Sequence, residues 1–199
     1  MSLRDNTIAI QKHVGVTTDG ISGPVTAAAV REALRPTMAP LPASTAKDFT
    51  FDERTEENLL TLSPAAQKKF RPFVAQAQAI AAAMGCVYTA ISGNRTYAEQ
   101  DALYAKGRTS SGSIVTNARG GYSNHNFGIA LDFGVFKGGK YLDNSDAAMA
   151  HKVHAAAAQV AEKHGIEWGG NWRSFKDTPH FEVATGLTMS QQRALLAAG

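Results

Sequence analysis

A ten-residue stretch, Ser123–Asp132, constrains the fold of this chain more than any other part of the sequence. From Gly128 onward apolar residues occupy every second position, which predicts a strand that buries one of its faces. The apolar face of this strand holds Ile129, Leu131 and Phe133. Asp132 lies on the opposite face, where burial of a carboxylate is costly unless another group pairs with it. The sequence therefore predicts a partner for Asp132 elsewhere in the chain.

A second stretch near the end of the chain, Asp177–Val183, offers that partner. Its last four residues predict a strand with His180 and Glu182 on one face. Two imidazoles and a carboxylate suit a catalytic zinc, which keeps a fourth position open for water. We therefore predict that His125, Asp132 and His180 hold a zinc ion. The spacing of His125 and Asp132 is a weak signal by itself, and the His-Glu-x-x-His motif of other zinc peptidases is absent.

The composition limits the class of protein. At 199 residues the chain suits one domain of ordinary size with a small appendage, and 44% hydrophobic residues are enough for a core. A single cysteine excludes an internal disulfide framework and a cysteine-rich metal site. The net charge of +3 suits an anionic polymer, but there is no basic patch interleaved with aromatic residues, so we predict no nucleic-acid binding. No apolar run reaches the roughly eighteen residues of a membrane span, so we predict no membrane insertion.

Residues 1–36 predict a small helical segment, in which a glycine-containing turn separates two helices and Pro24 opens the second. Asp19-Gly20 and the run Gly23-Pro24-Val25-Thr26 resemble the core of a small helical peptidoglycan-binding module, although its third helix is missing or altered. The resemblance implies cell-wall binding, and a helical hairpin packed on the main domain is the alternative. The first residues lack the basic-then-apolar order of a secretory signal, which predicts synthesis in the cytoplasm without a signal peptide.

Residues 37–52 are rich in proline and small polar residues and predict a linker, so that the main domain comprises residues 53–199. In this domain Ser63-Pro64 opens a long alanine-rich helix, which Pro72 is expected to kink or restart. The run Thr96–Glu99 fits a capping box at the start of another helix. Helices and strands do not alternate regularly, which predicts an α+β fold with a small antiparallel sheet.

The histidines fall into two groups. Those on the predicted helices are expected to face solvent, and they are His13, His151, His154 and His164. His125 and His180 differ from them, because each lies at a strand edge beside glycine or proline and close to a carboxylate.

Several motifs occur in a fixed order over about residues 60 to 185. They are Ser92-Gly93-x-Arg95-Thr96, Gln100 with Leu103-Tyr104, Gly107-Arg108-Thr109, Ser123-x-His125-x2-Gly128-x-Ala130-x-Asp132, Glu167-Trp168-Gly169-Gly170 and Asp177-x-Pro179-His180-Phe181. Together they resemble the family of zinc D-Ala-D-Ala carboxypeptidases and L-alanyl-D-glutamate peptidases, particularly phage endolysins of the latter activity. The resemblance implies a compact α+β fold with a central antiparallel sheet flanked by helices. It also implies the same three zinc ligands, with Asp177 as the catalytic carboxylate.

Asp177 is the predicted general base, which takes a proton from water and later gives it to the leaving amine. Pro179 fixes its own φ and favours an extended Thr178, so that a rigid turn aims the carboxylate at the metal without letting it coordinate. Glu167 is the rival base, although a structural or surface role is more frequent for such a glutamate.

Arg95 is the predicted electrophile, because a guanidinium can stabilise the oxyanion of a tetrahedral intermediate or hold a substrate carboxylate. A surface ion pair is the alternative for Arg95. Ser123 and Gln100 are predicted to bind the substrate, and Ser123 could instead shape its loop.

The resemblance implies an endolysin-like L-alanyl-D-glutamate endopeptidase that hydrolyses the stem peptide of bacterial peptidoglycan, with zinc as cofactor, and we predict no obligate protein partner. A D-alanyl-D-alanine carboxypeptidase is the alternative, and it would need a cation such as Arg108 or Arg119 for the free C-terminus of its substrate. A non-catalytic wall-binding module with a vestigial zinc site is the second alternative, which the intact set of candidate residues disfavours. In each case we expect the protein to act on the cell wall after release from the cytoplasm.

Overall fold

The computed structural model of the chain describes residues 49–198. In this range it has six α-helices and five β-strands, which confirms the predicted α+β class. The helices are α1 (Glu53–Leu60), α2 (Pro64–Ala83), α3 (Tyr97–Ala105), α4 (Leu142–Ser145), α5 (Ala147–Ala161) and α6 (Met189–Ala198). The strands are β1 (Val87–Ser92), β2 (Ala130–Lys137), β3 (Lys140–Tyr141), β4 (Ile166–Trp168) and β5 (His180–Val183). Short 3-10 helices cover Asn124–Phe127, Glu162–His164 and Gly169–Asn171.

The five strands form one antiparallel sheet in the order β1-β2-β5-β4, and β3 pairs with the far end of β2. The register places Asp132 of β2 opposite His180 of β5, and Ala130 opposite Glu182. Directly opposite residues of paired strands project from the same face of the sheet. The predicted face shared by His180 and Glu182 is therefore confirmed, and Asp132 lies on it as well.

The other face of the sheet contributes to the hydrophobic core. Leu131 and Phe133 of β2 are fully buried, as the alternation predicts, together with Phe73 of α2. The rings of Phe73 and Phe133 meet edge to face with their centroids 5.9 Å apart, a geometry that aromatic pairs prefer. Burial of each such side chain stabilises the fold by about 1.5–3 kcal/mol. The core thus fixes β2, and with it the position of Asp132 on the opposite face.

Helix α2 begins at the predicted cap, where the Ser63 hydroxyl accepts a backbone N–H of the first turn and Pro64 opens the helix. The predicted restart at Pro72 does not occur, because α2 continues through that residue. Phe70 and Phe73 are fully buried on either side of it. Their packing offsets the hydrogen bond that a proline cannot donate.

The expectation that His154 faces solvent is wrong. Its ring is fully buried, with Nδ1 2.9 Å from the Tyr88 hydroxyl and Nε2 2.8 Å from Oδ1 of Asp143. Oδ2 of Asp143 accepts the backbone N–H of Val135 at 3.0 Å. Helix α5 can bury this histidine because partners from other elements pair with both ring nitrogens. His151, by contrast, is exposed as expected.

The predicted helical segment 1–36 and most of the predicted linker 37–52 lie outside the described residues. Residues 49–189 belong to one compact unit, and α6 is described by its bounds alone. Between residues 49 and 198, no helix is both long enough and apolar enough to cross a membrane.

Candidate metal centre and active site

Three elements bring the predicted zinc ligands together. Asp132 and His180 are register partners on β2 and β5, and His125 comes from the 3-10 helix that precedes β2. Gly128 ends that helix with a left-handed φ of 62°, and a Cβ on it would lie 3.0 Å from the backbone nitrogen of Ser63. Glycine accepts this φ and this close approach without strain. Gly128 therefore sets the turn that joins His125 to the start of β2.

The donor atoms of these three side chains lie close together. Nε2 of His125 and Nδ1 of His180 each lie 3.0 Å from Oδ1 of Asp132. The two nitrogens lie 3.2 Å apart. Ligand atoms about 2.0–2.1 Å from a zinc ion are about 3.3 Å from one another in a tetrahedron. The spacings and the donor types therefore fit a metal ion bound by two imidazoles and one carboxylate.

The second nitrogen of each imidazole is held by another group. Nδ1 of His125 lies 2.7 Å from the backbone oxygen of Gly93, and Nε2 of His180 lies 2.8 Å from Oε2 of Glu182. The side-chain amide of Asn124 donates a hydrogen bond of 2.6 Å to the same Glu182 oxygen. Such outer partners fix the tautomer and the orientation of histidines that bind a metal.

The sequence motifs do not include these outer partners. For Glu182 a usable signal existed, because the period of the strand puts it on the face of His180. For the carbonyl of Gly93 there is no comparable signal, since the path of the backbone and not a side chain brings this oxygen to His125.

Pairing of charges controls protonation in the site. Burial raises the pKa of Asp132, but the charges and hydrogen bonds of His125 and His180 outweigh it and hold this pKa far below its usual value. Burial lowers the pKa of His180, whereas hydrogen bonds to Asp132 and Glu182 raise it to about 9. Burial raises the pKa of Glu182, and its hydrogen bonds with His180 and Asn124 bring it below the usual value. Both carboxylates are therefore ionised at neutral pH.

The predicted general base, Asp177, lies in the turn that leads into β5. Its backbone N–H donates to the carbonyl of Gly169 at 3.2 Å, and its own carbonyl accepts the N–H of His180 at 3.3 Å. A Cβ on Gly169 would lie 2.5 Å from the Asp177 carbonyl oxygen, so this close approach requires glycine. Although the residue is exposed as a whole, desolvation of its carboxyl group and the charge of Asp132 raise the pKa of Asp177. A raised pKa suits a group that must take and give a proton near neutral pH.

The rival base, Glu167, lies on β4 as the register partner of Glu182. It is exposed, and its carboxylate has no hydrogen bond or ion pair with any residue between 49 and 198. Glu182, and not Glu167, contacts His180. The charges of the candidate ligands Asp132, His180 and His125 act on the Asp177 carboxyl group, which favours Asp177 over Glu167 as the base.

Arg95 is tied to the site through Asp132. Its Nη2 donates to Oδ2 of Asp132 at 3.0 Å, and its Nη1 donates to Oε1 of Gln100 at 2.9 Å. Its Nε is buried and meets no acceptor among the described residues. Asn126, which the sequence motifs do not predict as a site residue, donates from its side chain to the Arg95 carbonyl at 2.8 Å. Arg95 therefore forms a partly buried ion pair with a candidate ligand and not the surface ion pair considered as its alternative.

The two predicted substrate-binding residues differ in their surroundings. Gln100 is fully buried, and its Nε2 donates to the carbonyl of Ala118 at 2.9 Å and to Oγ1 of Thr116 at 3.3 Å. Because its amide oxygen accepts from Arg95, its polar atoms are all used within the protein. Ser123 is half-buried, and its hydroxyl has no hydrogen-bond partner in the described part of the chain.

The two arginines proposed for a substrate carboxylate lie beside the Tyr104 ring, with guanidinium carbons 4.0 Å (Arg108) and 4.9 Å (Arg119) from its centroid. Arg108 also donates to the carbonyls of Tyr104 and Thr116 and to Oδ1 of Asn117. Arg108 is thus committed to its own loop, and the guanidinium of Arg119 is exposed but also hydrogen-bonds the Tyr104 side chain.

Two comparisons by sequence place the chain among known proteins. A family model described as D-alanyl-D-alanine carboxypeptidase matches residues 116–183. A relative from Bacillus subtilis (strain 168), the peptidoglycan L-alanyl-D-glutamate endopeptidase CwlK, is 40% identical over 112 residues. This match covers 53% of the present chain and 66% of the relative, so it spans just under two thirds of the relative's length.

Three solved structures are more distantly similar. The L-Ala D-Glu endopeptidase ChiX of Serratia marcescens is 24% identical with a TM-score of 0.46, and the match covers 70% of this chain and 93% of that one. DacB of Streptococcus pneumoniae D39 is 19% identical with a TM-score of 0.45, over 69% of this chain and 73% of that one. The D,D-pentapeptidase VanY of a VanB-type cassette, in complex with Zn(II), is 15% identical with a TM-score of 0.43, over 66% and 83% of the two chains.

The family match, the relative and the order of the motifs agree with one another. Peptidases of the matched family depend on zinc, and His125, Asp132 and His180 supply a donor set for such an ion. The prediction of zinc as the cofactor is thereby confirmed. The predicted resemblance to zinc D-Ala-D-Ala carboxypeptidases and L-alanyl-D-glutamate peptidases is therefore confirmed by the family match over residues 116–183 and by the relative.

Proposed function

We propose that this chain hydrolyses the L-alanyl-D-glutamate bond in the stem peptide of bacterial peptidoglycan. The observation that carries the proposal is the cluster of His125, Asp132 and His180, whose donor atoms lie within 4.8 Å of one another. The identity of 40% with an L-alanyl-D-glutamate endopeptidase supports the choice of bond. This substrate implies action at the cell wall, with residues 1–36 as a proposed attachment segment.

The three clustered side chains are the proposed zinc ligands, and each is oriented by a neighbour. Gly93 and Glu182 hold the two imidazoles, and the charge of Arg95 holds the carboxylate. Zinc, when bound, supplies Lewis-acid chemistry, since it polarises a carbonyl group and lowers the pKa of water.

Asp177 is the proposed general base. Its carboxylate takes a proton from the attacking water as the new C–O bond forms. The same carboxyl group then gives the proton to the leaving nitrogen as the C–N bond breaks. The desolvation and the charge of Asp132 that raise the pKa of Asp177 favour this exchange, because they make its carboxylate a stronger base.

Arg95 is proposed to stabilise the negative charge that develops on the scissile carbonyl oxygen. Its Nε has no acceptor among the described residues, which supports a role for this donor in substrate binding. Gln100 is a proposed positioning residue, because it holds Nη1 of Arg95 and is itself buried. The Ser123 hydroxyl, which has no described partner, is the proposed hydrogen-bonding group for the substrate backbone.

A D-alanyl-D-alanine carboxypeptidase is the second candidate, and the description of the matched family model favours it. Such an enzyme must bind the free carboxylate at the end of its substrate, and Arg119 is an exposed cation that could do so. The commitment of Arg108 to its own loop weakens this alternative.

The experiment that separates these candidates is digestion of purified peptidoglycan followed by mass spectrometry, with and without a chelator. Cleavage between L-alanine and D-glutamate leaves L-alanine on muramic acid and exposes a new D-glutamate amine. Release of free D-alanine instead would reject the endopeptidase in favour of the carboxypeptidase. If the zinc-loaded protein yields neither product, the non-catalytic alternative replaces both. The variant Asp177→Asn is the matched control, which should bind zinc and cleave nothing.

A further inference from the structure

We propose that Phe175, at the tip of the loop 172–177, binds the glycan strand that carries the scissile peptide and so sets specificity for glycan-linked substrates. This inference rests on the proposed function, because it names the part of the same substrate that lies beside the peptide. The proposed hydrolytic mechanism assigns no role to the Phe175 side chain.

Phe175 has an unusual conformation and an unusual exposure. Its φ is +52°, and 78% of the residue is accessible to solvent. A bulky aromatic residue with positive φ is a conformational outlier, and such outliers cluster at functional sites. Burial does not account for this one, because the ring adds little to the core. A ligand that covers the ring would account for both properties.

The loop is closed at its base and anchored at the catalytic site. The backbone N–H groups of Trp172 and Asp177 both donate to the carbonyl of Gly169, each at 3.2 Å. The Trp172 ring lies against His180 with the ring centroids 5.0 Å apart. One end of the loop therefore contacts a candidate zinc ligand, and the other end is the proposed base. Phe175 projects from between them.

The charges around Phe175 match a polymer with carboxylates. Arg173 and Lys176 flank it, both are exposed, and neither has an ion-pair partner in the described part of the chain. The glycan of peptidoglycan consists of N-acetylated sugars with an apolar C–H face, and its stems carry carboxylates. A pyranose stacked on Phe175 removes that face and the ring from water, while the two cations attract the carboxylates.

The reach of the loop suits the proposed bond. In peptidoglycan the L-alanine of the stem is joined directly to muramic acid, so an L-alanyl-D-glutamate bond has a sugar one residue away. Phe175 lies two residues before Asp177, and two residues span at most about 7 Å. A D-alanyl-D-alanine bond lies near the far end of the stem, with several residues between it and the sugar. A sugar-binding ring as close to Asp177 as Phe175 therefore suits cleavage of the L-alanyl-D-glutamate bond, which lies next to the glycan.

The test compares two substrates: a soluble muropeptide with its disaccharide, and the same stem peptide without sugar. For the full, zinc-loaded chain we expect Phe175→Ala to lower the ratio of kcat/KM for the muropeptide to kcat/KM for the free peptide. The expected loss is about three- to tenfold and lies mainly in KM, as for removal of one aromatic stacking contact. Phe175→Gly should lower the ratio equally without lowering the Tm, because glycine accepts the positive φ. Leu60→Ala is the control, because it also removes an exposed apolar side chain, but one that belongs to α1 and not to the loop 172–177. This variant should leave the ratio unchanged.

A ratio that stays constant in both Phe175 variants overturns the proposal, whether the two rates fall together or do not fall at all. A binding measurement decides the matter independently of hydrolysis. Titration of the chelator-treated chain with the free disaccharide, followed by NMR, should show weaker binding for Phe175→Ala by the same factor, and equal binding would overturn the proposal. If the wild-type chain cleaves neither substrate, the proposed function fails, and this titration still tests the glycan contact.

Discussion

His180 Nε2 lies 2.8 Å from Oε2 of Glu182, a residue two positions later on the same strand. Because side chains alternate along a strand, a ligand and the carboxylate that orients it share one face of β5 without any contribution from a distant loop. Asn124, next to the other candidate histidine ligand, donates to the same carboxylate. Glu182 thus links the two parts of the chain that supply the imidazoles.

Replacement of Glu182 by glutamine should weaken zinc binding by about tenfold or more, because the charged acceptor for His180 Nε2 is lost. The measurement is a competition titration with a chromogenic chelator. Glu167→Gln is the matched control, since Glu167 is the register partner of Glu182 but makes no contact with His180. Equal zinc affinity in the two variants would contradict the role given to Glu182.

Replacement of Asp177 by asparagine should lower kcat by about 10²–10⁴-fold and leave the zinc content unchanged. The side chain keeps its size but can no longer take a proton from water. Zinc content measured by atomic absorption and hydrolysis of a muropeptide, on the same preparation, separate the two effects. Glu167→Gln, which changes the rival base, is the control variant and should keep the wild-type kcat. If its kcat falls as far as that of Asp177→Asn, the base has been assigned to the wrong carboxylate.

The motifs predicted the candidate ligands because each lies at a position fixed by local sequence. Asp132 and His180 are on strands whose alternation is visible, and His125 precedes a glycine that a tight turn requires. Gln100 shows the limit of this reasoning. Its place on the capped helix α3 was predictable, but its full burial and its contact with Arg95 depend on loop atoms sixteen and eighteen positions later.

His154 shows a second limit. An alanine-rich helix gives no sign of which polar residue turns inward, because small side chains pack on either face. The inward position of His154 depends on the Tyr88 hydroxyl, sixty-six positions earlier, and on the Asp143 carboxylate. Sequence periodicity detects apolar faces, but it does not detect a polar residue whose partners come from other elements.

Replacement of Arg95 by lysine should lower kcat about a hundredfold, as for the loss of one donor to a developing oxyanion. A single ammonium group cannot bridge Asp132 and Gln100 as the planar guanidinium does. Steady-state kinetics on a muropeptide measure the effect. Arg71→Lys is the matched control, because Arg71 also pairs with a carboxylate, that of Glu56, away from the candidate ligands. Retention of wild-type kcat in Arg95→Lys would reject the catalytic role.

Because of the buried network around His154, the free energy of unfolding should depend on pH under acidic conditions. Burial raises the pKa of Asp143, but hydrogen bonds from His154 and from the Val135 N–H outweigh it and hold this pKa below its usual value. The unfolded chain therefore binds a proton at Asp143 more readily than the folded chain does. The stability that the carboxylate contributes is present in full above the unfolded pKa of about 3.9 and is lost as the pH falls through the lower, folded value.

Urea unfolding between pH 7 and pH 2.5 measures this dependence. Asp143→Asn should lower the free energy of unfolding by about 1–3 kcal/mol at pH 7, because the charged partner of a buried histidine is lost. The difference from the wild-type chain should shrink as the pH falls below about 4, where the Asp143 carboxyl group of the unfolded wild-type chain begins to take up its proton. Asp146→Asn is the matched control, since Asp146 is the N-cap of α5 and asparagine caps a helix equally well. A difference that stays constant over this pH range would show that Asp143 stabilises the fold by packing and not by its charge.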